Sequence, residues 1–563
     1  MNKRSSLLIF VVSLLICLQL SNTCFSIAQK TINYTITPHY NDKNNYITIC
    51  LEFNGDKNGI TKLFMPKIST IEGININFKS DVGDIVVVDE NKSIKINNKS
   101  VNFITLKHTP NTKIKITYQI DASSILYFGQ DQDILFSGNI LIFLEALNHD
   151  KEEHFKINFN GLKDAKKYVI TSKKIINSED AHFIVLEDAM KSWYYFGNKD
   201  VTKNHVDHLT NYTFIKIGER PKKNFTNVVN KILASCENFI IEVSGKIFMD
   251  NIQKTIIIMD GMPDPFSGTY ADDMYVVIYN KGDSLGKFTN SLAHELLHYL
   301  FGDNLKVSFG PDEKYLSYWF DEGFTYYYSS LLNYESGIIT LQEYLEIMNA
   351  QIKEYYQTYA PLRTFINEMY ACTGNKAQLN SAISSYLMQS LHGSLFANNL
   401  DNLLKIKSNN KYSLKDLLKV LTSSCKLSKC YISKIQFLES IEKLFISKNK
   451  IRWFENFINM HIVDYKPIFL VSPILAGKAK LDHQCCDETF DVGFNVVQTM
   501  CSGVVFGIKD DSNAYKLGLR NGNKLTSLDI TPERVSLVID DYDEISYKPM
   551  IKSVIPRYRS CRP

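Results

Sequence analysis

Ala293-His294-Glu295-Leu296-Leu297-His298, followed by Trp319-Phe320-Asp321-Glu322-Gly323-Phe324-Thr325-Tyr326-Tyr327, decides how this chain is read. Two histidines four residues apart lie on one face of a helix and can hold one metal ion. Glu295 stands between them and points into the same space. The segment 319–330 reads as a second helix, with Glu322 on its first turn as a third ligand. Catalytic zinc keeps three protein ligands and an open position for water. The ion lowers the pKa of that water to about 7, and a nearby carboxylate takes its proton. The expected assignments are therefore Zn2+ on His294, His298 and Glu322, with Glu295 as general base. The alternative, two ordinary helix histidines, fits the flanks poorly. Ser291-Leu292-Ala293 and Tyr299-Leu300-Phe301 make a buried amphipathic helix, and Gly302-Asp303-Asn304 ends it.

Smaller roles follow from position. Thr325 lies one turn after Glu322, where it either orients a ligand from behind or is a plain helix hydroxyl. Asp321 caps or starts its helix. Trp319, Tyr326, Tyr327 and Tyr328 read as core or cleft wall.

Outward from this centre the pattern divides. Upstream, Ile32–Pro38, Tyr46–Phe53, Ser93–Asn97, Phe103–Leu106 and Lys113–Ile120 are short, β-branched and alternating, with Asn, Gly and Asp between them. This predicts a β-sandwich-like domain over 29–215. From 216 the pattern changes to a helix at Asn227–Glu242, strands at Thr255–Met259 and Met274–Tyr279, and the metal helices, giving a catalytic domain over 216–340. Residues 341–475 are mostly helical, with Leu403, Leu414, Leu417, Leu418 and Leu421 at helical spacing. Pro467 and Pro473 lead into a strand-rich module over 485–563. There Ser512-Asn513-Ala514-Tyr515-Lys516-Leu517-Gly518-Leu519 continues to Gly522 and Leu525, the S-x-A-x-x-x-G-L-x-x-G-x-x-L run of PDZ domains. Such domains add an extended peptide to a sheet edge; a β-module with no ligand fits the run equally. The fold class is thus a multidomain α+β chain.

Composition bounds the function. The chain has 563 residues, too many for one core. With 45% apolar and 22% charged residues it is ordinary globular material, and a net charge of +3 gives no electrostatic case for nucleic acid. Lys3 and Arg4 followed by the apolar Leu7–Leu20 form a signal peptide, with Ser26-Ile27-Ala28 as the cleavage site. A lipid anchor at Cys24 and an uncleaved anchor helix are the alternatives. No later segment is apolar enough to span a membrane, so the expectation is an exported protein, periplasmic or secreted. Nine cysteines follow the signal, an odd number that leaves a free or intermolecular thiol. Cys425 and Cys430 are a plausible bridge in an oxidising compartment.

In this order, an exported β domain, a zinc catalytic domain, a helical domain and a terminal PDZ module resemble the glycyl aminopeptidase family of metallopeptidases, relatives of leukotriene A4 hydrolase and alanyl aminopeptidase. The resemblance is strongest over 291–330, and extends to Gly393 and Tyr412-Ser413-Leu414-Lys415-Asp416-Leu417-Leu418. It implies a thermolysin-like catalytic domain, a peptide or protein substrate, and removal of an N-terminal residue, often glycine or alanine. Two departures stand out. The family's Gly-Gly-Leu-Glu-His segment, whose Glu grips the substrate amine, is here Ser267-Gly268-Thr269-Tyr270-Ala271, followed by Asp272 and Asp273. Gly268 and Asp272 are the substrate-binding candidates. The family's oxyanion tyrosine, in a Tyr-x-Lys-Gly run, aligns with Ser390 in Ser390-Leu391-His392-Gly393. Tyr386, one turn earlier, and His392 are the candidate replacements. These departures leave three activities open: an aminopeptidase, an endopeptidase, or a peptide-binding protein with an impaired site.

Overall fold

The computed structural model describes residues 31–561 with breaks, the longer of which are 40–45, 65–84, 122–126, 145–153, 219–224, 246–253, 261–267, 310–316 and 359–375. The N-terminal segment read as a signal, Cys24 included, lies outside the described residues. Strict alternation builds the N-terminal part. Along Thr31–His39 and Tyr46–Asn54 every second residue is buried, as a period-two sequence requires on a sheet with one covered face. These two strands sit in a seven-stranded sheet, ordered Asp180–Phe183, His154–Phe159, Thr31–His39, Tyr46–Asn54, Lys113–Asp121, Val86–Asp89, Lys92–Ser93. Ile32, Tyr34, Ile49, Ile116 and Tyr118 fill its core. The single strand expected over 93–97 is two pieces. Lys92–Ser93 ends that sheet, whereas Ile96–Lys99 joins a four-stranded one and pairs with a register shift at Ile96/Asn98.

A five-stranded sheet centred on Trp193–Gly197 links this part to the next. All five of those residues are buried, because both faces are covered. Tyr194 and Phe196 join the N-terminal core. Trp193 and Tyr195 turn the other way and meet Ile215, Ile257 and Val276.

Those last residues belong to the sheet behind the metal helices. Asn211–Ile217, Lys254–Asp260 and Met274–Tyr279 run parallel. Val201–Asp207 and Gly268–Ala271 close the two edges antiparallel. The helix Phe225–Ser244 makes the crossover that parallel neighbours need. The sheet's other face, with Ile256, Ile258, Tyr275 and Val277, lies under the helices. The metal helix (Leu285–Leu297), the glutamate helix (Tyr318–Glu335), Leu341–Thr358 and the long helix (Lys376–Lys407) follow. Leu414–Ser423 and Lys434–Leu444 each begin with a reciprocal capping box, Ser413 with Asp416 and Ser433 with Gln436. One continuous apolar core joins all these helices, so no core boundary separates the metal helices from those after residue 340. Among its described residues, the largely helical 341–475 segment holds one strand. Cys430–Ser433 pairs in parallel with Leu305–Ser308, just beyond the metal helix.

The C-terminal region returns to strands. Ala479–Asp491 and Met550–Ser560 form an antiparallel ribbon. It is fastened to the Leu341–Thr358 helix by Asn349, whose amide donates to the Tyr558 carbonyl at 3.0 Å and accepts from the Tyr558 amide at 2.8 Å. A three-stranded sheet, Leu525–Ile530, Val535–Ile539 and Asp543–Tyr547, has its own small core with Phe494, Val505 and Leu519. The run from Ser512 folds as a short helix, Asn513–Lys516, capped by Ser512, then two positive-φ glycines, Gly518 and Gly522, then the strand from Leu525. Among the described residues no helix is long and apolar enough to cross a membrane.

Candidate metal centre

The metal helix starts at Ser284, whose hydroxyl accepts from the Lys287 amide at 3.2 Å, and stops at His298, its C-cap. The chain then turns back. The Asp303 amide donates to the His298 carbonyl at 3.3 Å, and the Leu305 amide to the Leu300 carbonyl at 2.9 Å. Gly302 makes this turn with φ of 94°, a backbone region costly for residues with a side chain. The Asn304 side chain donates to the Tyr299 carbonyl at 2.6 Å. These bonds answer the carbonyls that a helix end leaves open, so the helix presents His294 and His298 and ends within the same turn.

Glu322 arrives at the start of the second turn of the glutamate helix, one residue beyond the first turn that the sequence predicts, because the helix already begins at Tyr318. What brings it close is a helix crossing that the sequence reading missed. Gly323 lies against Gly393 of the long helix. A Cβ on Gly323 would stand 2.8 Å from the Ser394 amide nitrogen and closer still to the Gly393 backbone. A Cβ on Gly393 would stand 2.7 Å from the Trp319 carbonyl carbon. The available signal was two glycines in two otherwise good helices.

The three ligand atoms converge. His294 Nε2 and His298 Nε2 are 3.0 Å apart. Glu322 Oε2 is 3.2 Å from the first and 3.5 Å from the second. Ligand atoms bound at 2.0–2.1 Å around one tetrahedral ion stand roughly 3.3 Å from each other, so the residues fit zinc. Among the described residues no other His, Cys, Asp and Glu group is arranged to hold a metal. Burial pushes the His298 imidazole down to about 4, so at neutral pH the ring is uncharged and has a nitrogen lone pair to offer an ion. Glu295 is buried on the same helix. The Tyr326 ring, one turn beyond Glu322, meets the His294 ring edge-on at 5.8 Å. The cleft-wall expectation becomes a specific contact.

Other expected residues are placed differently. His392 does not reach the metal centre. It is buried, its Nε2 donates to the His461 carbonyl at 2.7 Å, and its Nδ1 accepts from the Tyr355 hydroxyl at 3.0 Å. It faces away because Gly393, its neighbour, is the face pressed on the glutamate helix. Burial pushes its pKa down to about 3, so it is a neutral core histidine. Thr325 donates its hydroxyl proton to the Asp321 carbonyl one turn back, the plain helix role. The cap of the glutamate helix is Ser317, four residues before Asp321. Burial, with the Glu322 charge beside it, pushes the Asp321 carboxyl up to about 8. Ser390 is buried. Gly268 begins the edge strand Gly268–Ala271, paired with Val277. Asp272 and Asp273 lie outside the described residues. Tyr386 is in the long helix, and its side chain lies outside the described atoms.

Comparison with known proteins fits this geometry. Residues 287–390 match the family model of the M61 glycyl aminopeptidases. A solved aminopeptidase N family protein from Idiomarina loihiensis superposes with a TM-score of 0.55 at 13% identity, over 94% of this chain and 96% of that one. An M1 zinc metallopeptidase from Deinococcus radiodurans gives 0.41 at 9% identity, over 79% and 96%. Leukotriene A4 hydrolase from Saccharomyces cerevisiae gives 0.38 at 12%, over 79% and 68%. No curated protein sequence matches significantly. The structural likeness is one of fold, and the family match supports a hydrolase of the peptidase class. The family resemblance is to the M61 glycyl aminopeptidases, carried by the segment that holds all three ligand positions.

Proposed function

We propose that this chain is a zinc-dependent peptidase that releases small N-terminal residues, glycine or alanine, from peptides. The observation that carries this reading is the His294–His298–Glu322 triangle, with edges of 3.0, 3.2 and 3.5 Å. Held there, zinc supplies an acidified water and polarises the scissile carbonyl. Glu295 takes the proton from the attacking water on its carboxylate and returns it to the leaving amine. Its burial supports this, since water exclusion strengthens a charge acting at short range. His298 stays neutral through burial, so it can serve the ion as an uncharged imidazole. Glu322 adds a negative charge and completes the three-ligand set.

The edge strand Gly268–Ala271 is the place to lay an extended substrate, because among the described residues its outer side has no strand beside it in the sheet order. Asp272, or Asp273, then takes the substrate amine. Tyr386 is the remaining candidate for steadying the oxyanion. The lack of a Glu within Gly268–Ala271 favours a second reading, an endopeptidase with no grip on a free amine. We read the C-terminal module as PDZ-like with a peptide ligand at a sheet edge, and the protein as exported by its N-terminal signal.

The test is turnover by zinc-loaded protein of free and N-blocked peptides, alongside Glu295→Gln. Release of Gly or Ala from free termini, lost in the variant, is expected. Cleavage of blocked peptides would move the assignment to endopeptidase. No turnover with zinc bound would leave a peptide-binding protein.

A further inference from the structure

The disulfide between Cys425 and Cys430 sits close to the metal ligands in the hydrogen-bond network, though far from them in sequence. Cys430 opens the strand Cys430–Ser433, and its amide donates to the Asn304 carbonyl at 2.7 Å. Residue by residue, Leu305–Ser308 then pairs with Cys430–Ser433. Asn304 is the residue whose side chain holds the Tyr299 carbonyl at 2.6 Å. Leu305 donates to the Leu300 carbonyl, and Asp303 donates to the carbonyl of His298 itself. A continuous run of backbone and amide bonds thus leads from the disulfide to a metal ligand. The strand is narrow: among the described residues its sheet has two strands, and Tyr431 within it and Ile435 just after it are largely exposed. A two-stranded sheet is marginal by itself, so the covalent link at its first residue fixes the partner strand for Leu305–Ser308. At the other end of the link, Cys425 is buried under Leu414–Ser423, its sulfur near the Leu421 carbonyl. The disulfide therefore ties the turn behind His298 to a capped helix of the core.

We propose that the Cys425–Cys430 disulfide is a positioning element for His298, and that its reduction loosens the metal centre without removing any ligand. The proposal rests on the zinc reading above. Reduction is the two-electron conversion of the disulfide to two thiols. A water-soluble phosphine supplies the electrons, becomes the phosphine oxide with oxygen from water, and leaves one proton on each sulfur. The helix Leu285–Leu297 keeps its N-cap and core contacts, so the effect falls on the turn at 299–305 and on the imidazole that precedes it. Groups that orient a ligand from behind typically change metal affinity 10–100-fold, and zinc release is expected to quicken about tenfold.

The experiment uses the full mature chain, oxidised or phosphine-reduced, with zinc release read by a chromophoric chelator and amide hydrogen exchange read on the metal-free protein. Faster zinc release on reduction, with faster exchange at Asp303 and Leu305 but not within Phe225–Ser244, is expected. A Cys425→Ser/Cys430→Ser variant should release zinc at the reduced rate and not respond to phosphine. Equal release rates before and after reduction overturn the proposal. So does a variant that still speeds up with phosphine, since another disulfide would then be responsible. If the oxidised protein holds no zinc, the metal reading fails by itself. Exchange at Asp303 and Leu305 still decides the clamp, and unchanged exchange there overturns it.

Discussion

Replacing Gly323 by alanine is expected to weaken zinc binding through a residue that touches no metal. In an exposed helix interior Gly→Ala normally stabilises by about 1 kcal/mol. Here the added Cβ would lie 2.8 Å from the Ser394 nitrogen and nearer still to the Gly393 Cα. Ordinary heavy-atom contact is roughly 3.5–4.0 Å, so the two helices must part by at least about 0.7 Å. The obstructing atoms are backbone and cannot swing aside. Overpacking of this kind costs about 1–3 kcal/mol, which more than offsets the helix propensity gained. Glu322 is the preceding residue, and its Oε2 sits 3.2 and 3.5 Å from the two imidazole nitrogens. Moving it by that distance takes it out of a set that one ion can bridge. Zinc affinity should fall about 10–100-fold, with turnover down about 100-fold, as roughly 1 Å misplacements commonly give. The assay is zinc competition against a chromophoric chelator, with thermal unfolding alongside. Affinity within twofold of the unsubstituted protein, together with a raised melting temperature, would refute the reasoning, because propensity would then have outweighed the clash.

Three other outcomes follow from the same geometry. Tyr326→Phe should keep zinc affinity, and Tyr326→Ala should lose about two- to tenfold, as the edge-on contact with His294 needs the ring and is worth about 0.5–1.5 kcal/mol; equal losses in a zinc titration would assign the effect to the hydroxyl. His392 is neutral when folded, its pKa pushed down to about 3, while unfolded it takes a proton near 6.5. Its stabilising contribution is therefore complete above pH 6.5 and falls by about 1.4 kcal/mol per pH unit between 6.5 and 3. Urea unfolding of the metal-free protein at pH 7 and pH 5, compared with His392→Gln, should show a shallower pH slope in the variant, and identical slopes would be wrong for this account. Glu295→Gln should keep zinc, because Glu295 is not one of the three converging ligands, while losing turnover; metal analysis of the purified variant checks the first half.

The metal ligands were legible because a helix converts spacing into direction: residues i and i+4 share a face whatever the surroundings. The N-terminal strands were legible for the same kind of reason, since alternation survives wherever one sheet face is covered. Trp193–Gly197 shows the limit, as an unbroken apolar run marks double coverage without saying what covers it. The strand Cys430–Ser433 was hidden inside a helical stretch because it is four residues long and exists through its pairing with Leu305–Ser308. His392 misled because alignment places a residue on a helix without giving the face. The face was decided by Gly393, whose missing side chain is what lets the two helices touch. Glycine crossings, ring contacts and the disulfide's bonds to the turn all depend on which distant segments meet, and one sequence does not encode that locally.

The most direct measurement is a calorimetric zinc titration of the metal-free protein and of Glu322→Ala. One zinc per chain, bound tightly by the unsubstituted protein and far more weakly without Glu322, is the expected result. No binding, or equal affinity in both proteins, would contradict the claim that His294, His298 and Glu322 form the metal centre.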